Sequence, residues 1–244
     1  VGGLAEASPA IPSRRQRGIA EVLLDFLMRS ADVINTPACR QGIRSDEEWI
    51  ETNLGPFSEY TTYSDLTFFN ISGVAVLDSL SPNQKAELIL DPDSSALDNE
   101  TIVRDVFSSL TESPDEEQLD QFFETFAGLA MQRNITVIQN PAVSDTILNL
   151  TLTALAPEFH DFEPRDFQRW FQVNLVVVMA SIHPGSLVVI PSNISCRSYN
   201  AILTGLQQSL GSLPLHLSQG VRSSIESLME TFRRCPRPRP FLVS

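Results

Sequence analysis

Five Asn-x-Ser/Thr triplets punctuate the chain, at Asn70-Ile71-Ser72, Asn99-Glu100-Thr101, Asn134-Ile135-Thr136, Asn149-Leu150-Thr151 and Asn193-Ile194-Ser195. An Asn amide with a hydroxyl two residues on is the acceptor for oligosaccharide transfer, a reaction of the secretory pathway, and a sugar there requires that each Asn face water. The eleven Asn and the Ser/Thr content would give about two such triplets by chance. The excess points to a glycosylated chain in an extracellular, secreted or cell-surface setting.

Cysteine chemistry is sparse. Cys39, Cys196 and Cys235 are too few for a disulfide-built scaffold, and none stands in the CxxC spacing that zinc or redox chemistry uses. One bridge and one odd thiol is the expectation. In an oxidising compartment the odd one pairs with another chain, pairs with a part of a precursor outside this sequence, or stays buried. A third chemical feature is Arg14-Arg15-Gln16-Arg17 ahead of Gly18, an Arg-x-x-Arg pattern of the kind cut by secretory-pathway convertases. The competing reading is a basic helix start, although positive charge at that end opposes the helix macrodipole.

Catalytic constellations are missing. Nucleophilic catalysis needs a base beside the nucleophile, and His160, His183 and His216 stand in no recognisable catalytic context; there is no G-x-S-x-G turn. Glu158-Phe159-His160-Asp161-Phe162-Glu163 could offer metal ligands, but its aromatics equally anchor an acidic turn. Asp91-Pro92-Asp93-Ser94-Ser95 opens like a calcium loop and then departs from one, with Ala96 where Gly belongs and Ile102 where a bidentate Glu belongs. The expectation is a chain that is not an enzyme and holds no cofactor or metal.

The elements that position these groups read as helices. Length, 244 residues, and an apolar content of 42% suffice for a core. A formal charge of -13, from 30 acidic and 17 basic side chains, opposes nucleic acid and anionic lipid surfaces. The longest apolar run, Leu175 to Ala180, is far short of the roughly 20 residues a membrane span takes. A start at Val1 suggests a processed or excised piece.

Residues 1–17 read as a flexible leader carrying the basic site, 18–235 as one helical domain, and 236–244 as a Pro/Arg-rich tail. From Ile19 a stripe of Val22, Leu23, Phe26, Leu27, Val33 and Ile34 recurs at helical spacing. Ser45-Asp46-Glu47-Glu48, Ser81-Pro82-Asn83-Gln84 and Ser113-Pro114-Asp115-Glu116 match capping boxes, with Glu163-Pro164 a looser relative. Further stripes are Ile102, Val103, Val106, Phe107, Leu110 and Leu119, Phe122, Phe123, Phe126, Leu129, read as an antiparallel pair. Later helices are expected over 143–155, 164–182, 196–210 and 218–232, with a short extended piece at 187–190. The class is all-α: short antiparallel helix pairs packed as an irregular bundle or as a stacked superhelical array, since the three capping signals lie 32 to 36 residues apart.

The last two helices carry the sharpest expectation. Tyr199, Ile202, Leu203 and Leu206 define one inner face, and Val221, Ile225, Leu228, Met229 and Phe232 the other. A short connection makes them antiparallel, which sets Cys196 beside Cys235; a Cys39–Cys196 bridge is the rival. Among the sequons, Asn99 falls at a helix start, Asn134 after a helix end, Asn193 in a loop, and Asn149 in mid-helix opposite the stripe of Val143, Ile147, Leu150 and Ala154.

With Leu80-Ser81-Pro82-Asn83-Gln84 as a helix start, the sequons and the Arg-x-x-Arg site, the chain resembles the mesothelin, stereocilin and otoancorin group of extracellular proteins over about residues 14–235. That resemblance implies short stacked helices and a role in adhesion or matrix assembly; it carries over no functional residue. Three functional readings follow. One is a non-catalytic module binding other extracellular proteins, with self-assembly through Cys39. Another is a propeptide or inhibitory segment released by cleavage at Arg17, and the third is a secreted hydrolase of unfamiliar type.

Overall fold

A computed structural model describes residues 2–31, 40, 42–112 and 117–236, and among them every regular element is helical. The chain is all-α. It falls into two compact units, Val1–Ser94 with Ser108–Phe122, and Ser95–Phe107 with Phe123–Ser244. Cys39, Val33, Ile34, the capping signal at Ser113 to Glu116 and the tail from Arg237 lie outside the described residues.

The first unit opens with α1 (Gly2–Ala7) and α2 (Ser13–Arg29), so residues expected to be a non-periodic leader are helical. Gln16 makes that possible: its Nε2 donates to the carbonyls of Ser8 and Ile11, and its Oε1 accepts from the Tyr60 hydroxyl. A polar residue three places from the first apolar one gave no periodic signal, yet it ties the chain start to the unit.

Next come α3 (Asp46–Asn53), α4 (Tyr63–Phe68) and α5 (Pro82–Leu90), each begun by a side-chain cap. Ser45 Oγ accepts from the Glu48 amide as expected, but the Glu48 carboxylate takes the Arg44 amide, one residue earlier than a full capping box requires. The Ser81–Gln84 box is complete, with amide-to-side-chain distances of 3.2 and 2.9 Å. Gln84 is then buried, its Nε2 donating to the Ser58 and Thr61 carbonyls. Trp49, Phe57 and Phe69 fill this core, with the Trp49 and Phe69 rings 5.0 Å apart.

α6 (Glu100–Thr111) and α7 (Glu117–Gln132) each contribute residues to both units. In the second unit Phe107 and Trp170 both set their rings edge-on to Phe123. α8 (Pro141–Leu155) starts at an Asn140 cap and buries Val143, Ile147, Thr151 and Leu155. Leu150 and Ala154, assigned by the sequence to its inner stripe, are only half-buried.

The expected single helix over 164–182 is three pieces: α9 (Pro164–Arg169), a π-helical turn over Trp170–Asn174 and a 3-10 stretch over Val176–Ser181. Three consecutive β-branched residues, Val176 to Val178, crowd an α-helical turn and favour the break. Likewise, of the piece expected to be extended, Leu187 to Val189 is helical and only Ile190 is extended. The 3-10 turns run over Pro184–Val189 and begin where the His183 amide donates to Ser186 Oγ.

α10 (Cys196–Ser212) and α11 (Gln219–Thr231) pack on one another. Tyr199, Ile202, Leu203 and Leu206 are all buried, as the stripe predicts, together with Val221, Leu228 and Phe232. Tyr199 stacks on Phe232 at 5.2 Å. Close approach depends on two glycines: a Cβ at Gly205 would stand 2.4 Å from the Phe171 carbonyl oxygen, and one at Gly220 2.3 Å from that of Ile182.

Candidate functional site

All five sequon asparagines are exposed. Their local settings differ. Asn70 and Asn134 follow the ends of α4 and α7 with φ of 57° and 55°, the left-handed region in which Asn is tolerated better than most residues. Asn99 caps α6: its Oδ1 accepts from the Thr101 amide at 3.0 Å, which leaves the Nδ2 that a sugar would occupy outside that bond. Local structure therefore explains three of the asparagines without any sugar.

It does not explain the other two. Asn193 lies in a loop held from the opposite side, where the Arg234 guanidinium donates to the carbonyls of Ser192 and Ile194 at 2.7 and 2.6 Å. Asn149 stands on the outer face of α8, where a better helix former would serve the fold. Its sequon partner is the sharper anomaly. Thr151 is fully buried and its hydroxyl has no hydrogen-bond partner, not even the carbonyl one turn back that a mid-helix Thr commonly takes. Such an orphan hydroxyl costs about 1–3 kcal/mol relative to a satisfied or apolar group. In the other four triplets the hydroxyl residue, Ser72, Thr101, Thr136 or Ser195, is exposed.

The cysteines resolve one alternative. Cys196 and Cys235 are joined, with Cα atoms 5.4 Å apart, closing a separation of 39 residues. Cys235 is buried, and the Arg234 side chain beside it also lies over the Phe232 ring at 5.1 Å, so the bridge, the stacked rings and the arginine clamp form one cluster. Cys196 is thereby joined to Cys235, while Cys39, its rival partner, lies outside the described residues.

Neither a protein-family model, a curated protein nor a solved structure matches the chain. Function must therefore be argued from surfaces and side chains.

Arg14, Arg15 and Arg17 are exposed in the first turns of α2, just after the non-helical Ile11 and Pro12. That start is poorly made: Pro12 is its cap residue, no side chain bonds the free amides, and no acid balances the arginines. A protease needs extended chain, and this is a helix end with little to hold it.

α2 differs from its sequence stripe in another way. Ala20 and Leu27 are buried, whereas Val22 and Phe26, one turn apart, are 70% and 63% exposed. Two residues assigned to the core thus form an apolar ledge. A second apolar surface lies in the other unit, a groove of about 490 Å³ lined by Ala130, Met131, Asn134, Ile135 and Val173 among others. Met131 and Val173 are 74% and 51% exposed there. The π-helical turn supplies one wall and the end of α7 the other.

His160, His183 and His216 are all exposed, and among the described residues no three His, Cys, Asp or Glu side chains converge as a metal site would. The Asp91 turn is closed on itself, with Asp91 Oδ1 accepting from the Asp93 amide at 2.7 Å. Phe159, Phe162 and Phe167 pack ring on ring beneath the acidic turn. The Arg104 guanidinium, with the Thr146 hydroxyl, holds the exposed Glu100 carboxyl below the usual range.

Sequence reasoning passed over Lys85, the only lysine among 17 basic residues. It is 3% exposed, and burial lowers its pKa from the ordinary 10.5 against the opposing pull of Asp78. The signal was a lone cation at the fourth position of α5, between Gln84 and Ala86, which are buried with it. None of the grooves described above is lined by it.

Proposed function

We propose that the chain is a non-catalytic, N-glycosylated module of a secreted or cell-surface protein, and that it engages other extracellular proteins through a helical face without sugars. The observation that carries this reading is the pair Asn149 and Thr151. One side chain adds nothing to its helix and the other places an unsatisfied hydroxyl in the core; together they are a sequon, which is used before the chain has folded. The Cys196–Cys235 bridge suits an oxidising compartment. The resemblance to the mesothelin, stereocilin and otoancorin group supports adhesion or extracellular assembly as the purpose.

The ledge of Val22 and Phe26 is the face we assign to the partner. It lies in the unit that carries a single sequon, Asn70, while Asn99, Asn134, Asn149 and Asn193 belong to the other. Expression through the secretory pathway, followed by glycopeptide mapping, tests the reading. Occupied Asn149 and an oxidised Cys196–Cys235 pair are expected; a secreted product with bare asparagines would defeat it.

A second reading has its own observation. The uncapped, arginine-bearing start of α2 favours processing after Arg17, which would release α1 and the Gln16 tether from the unit. Incubation of the folded chain with a furin-type convertase should then yield a new terminus at Gly18. An uncut chain, under conditions that cut an unfolded peptide of the same sequence, would dismiss it.

A further inference from the structure

We infer that the apolar groove at the end of α7 is the seat of the chain's own sugar, the first rings of an N-linked glycan attached at Asn134. This rests on the glycosylation reading above and adds to it where one of the glycans lies. Tethering is the first contribution. Asn134 lines the groove itself, is exposed, and takes a backbone φ of 55° just after the helix, so the attachment point lies on the groove's own rim. A ligand held covalently at the mouth meets a high effective concentration and forfeits little further freedom on settling.

The groove also has the right chemistry. A pyranose ring presents a face of C–H groups, and its acetamide adds a methyl; both are served by Met131, Ile135 and Val173. Around them, the exposed Thr136 offers its hydroxyl to the sugar's polar edge, while Gln172, whose Nε2 donates to the Ala201 carbonyl, and the buried Asn174 complete the lining. A volume of about 490 Å³ falls in the range of roughly 300–1,000 Å³ usual for small-ligand sites. Met131 and Val173 would otherwise leave apolar surface in water. A protein partner seated in the same groove would have to displace a group already anchored there.

The test reads the oxidation of Met131 in protein made through the secretory pathway. Buried Met179 serves as the slow reference. Peroxide oxidation followed by peptide mass spectrometry is applied to the native glycoform, to protein trimmed to one sugar ring per site, and to an Asn134→Gly variant. Glycine accepts the left-handed backbone at this position, so the variant removes the sugar without straining the turn.

The expected result is similar, slow Met131 oxidation in the native and trimmed forms, and at least a threefold faster rate in Asn134→Gly. A Thr136→Ser variant, which keeps the sequon, should behave as the native form. Equal Met131 rates in occupied and sugar-free protein overturn the inference while leaving glycosylation standing. A secreted product with Asn134 unoccupied overturns both the inference and the glycosylation of this site.

Discussion

α11 is held at many points and α2 at few, through Gln16, Ala20 and Leu27. In the C-terminal pair a disulfide, a stacked Tyr199–Phe232 contact and an arginine clamp act within one cluster, and elsewhere on the pair Gly205 and Gly220 let the helices close on the Phe171 and Ile182 backbones. α2 has an uncapped start, two exposed apolar residues and space around its glycine: a Cβ at Gly18 would meet nothing within 4 Å. Both helices carry a strong apolar stripe in the sequence. The contrast teaches that a stripe announces a helix, while the partner that covers it decides whether the helix is core or surface.

Breaking the bridge should separate the two regions most. The Cys196→Ser, Cys235→Ser double variant reopens a loop spanning 39 residues, and chain entropy sets the loss at about 4 kcal/mol. Chemical denaturation with separate probes for each unit measures it; the loss belongs to the second unit, and equal destabilisation of both would blur the contrast drawn here.

Paired alanine substitutions come next. Gly205→Ala sets a methyl against the Phe171 backbone and should cost about 1–3 kcal/mol. Gly18→Ala, in open space on α2, should instead stabilise by about 0.5–1 kcal/mol through helix propensity. Thermal unfolding of the two variants should move in opposite directions.

Thr151→Val addresses the orphan hydroxyl. Replacing it by a methyl of the same shape should leave stability unchanged or raise it by about 1 kcal/mol, and it abolishes the Asn149 sequon. Stability is best compared on sugar-free protein, so that the two effects are read apart. A marked loss of stability would mean that the hydroxyl serves the fold after all.

The smallest effect on folding is expected at the ledge. Val22→Ser with Phe26→Ser should change stability by no more than about 0.5 kcal/mol per site, because little burial is lost. Buried core positions such as Leu203 would behave quite differently. Self-association by sedimentation, or binding to a partner once one is identified, should weaken without any change in unfolding.

Much of this fold could be read from residue order. The inner faces of α10 and α11 and the Ser45 and Ser81 starts depend on period and capping chemistry among neighbours in sequence, and the Cys196–Cys235 pairing follows from the antiparallel packing that a short connection between the two helices imposes. What escaped depended on distant or unusual contacts. Gln16 gave no apolar signal, yet its bonds to Ser8, Ile11 and Tyr60 make the chain start helical. The π-helical turn hid within a stretch whose composition suits an unbroken helix. At the candidate sites, triplet spacing identified the asparagines, but only the structure distinguishes Asn70, Asn99 and Asn134, which have backbone reasons to be there, from Asn149 and Asn193, which have none. Nor could spacing reveal that the Thr151 hydroxyl is buried without a partner.

The most direct test of the account is site-resolved glycan occupancy at Asn149 in protein recovered from the secretory pathway, with disulfide mapping of the same sample. An oligosaccharide on Asn149, together with Cys196 joined to Cys235, is the predicted result. An unmodified Asn149 beside reduced Cys196 and Cys235 would contradict it.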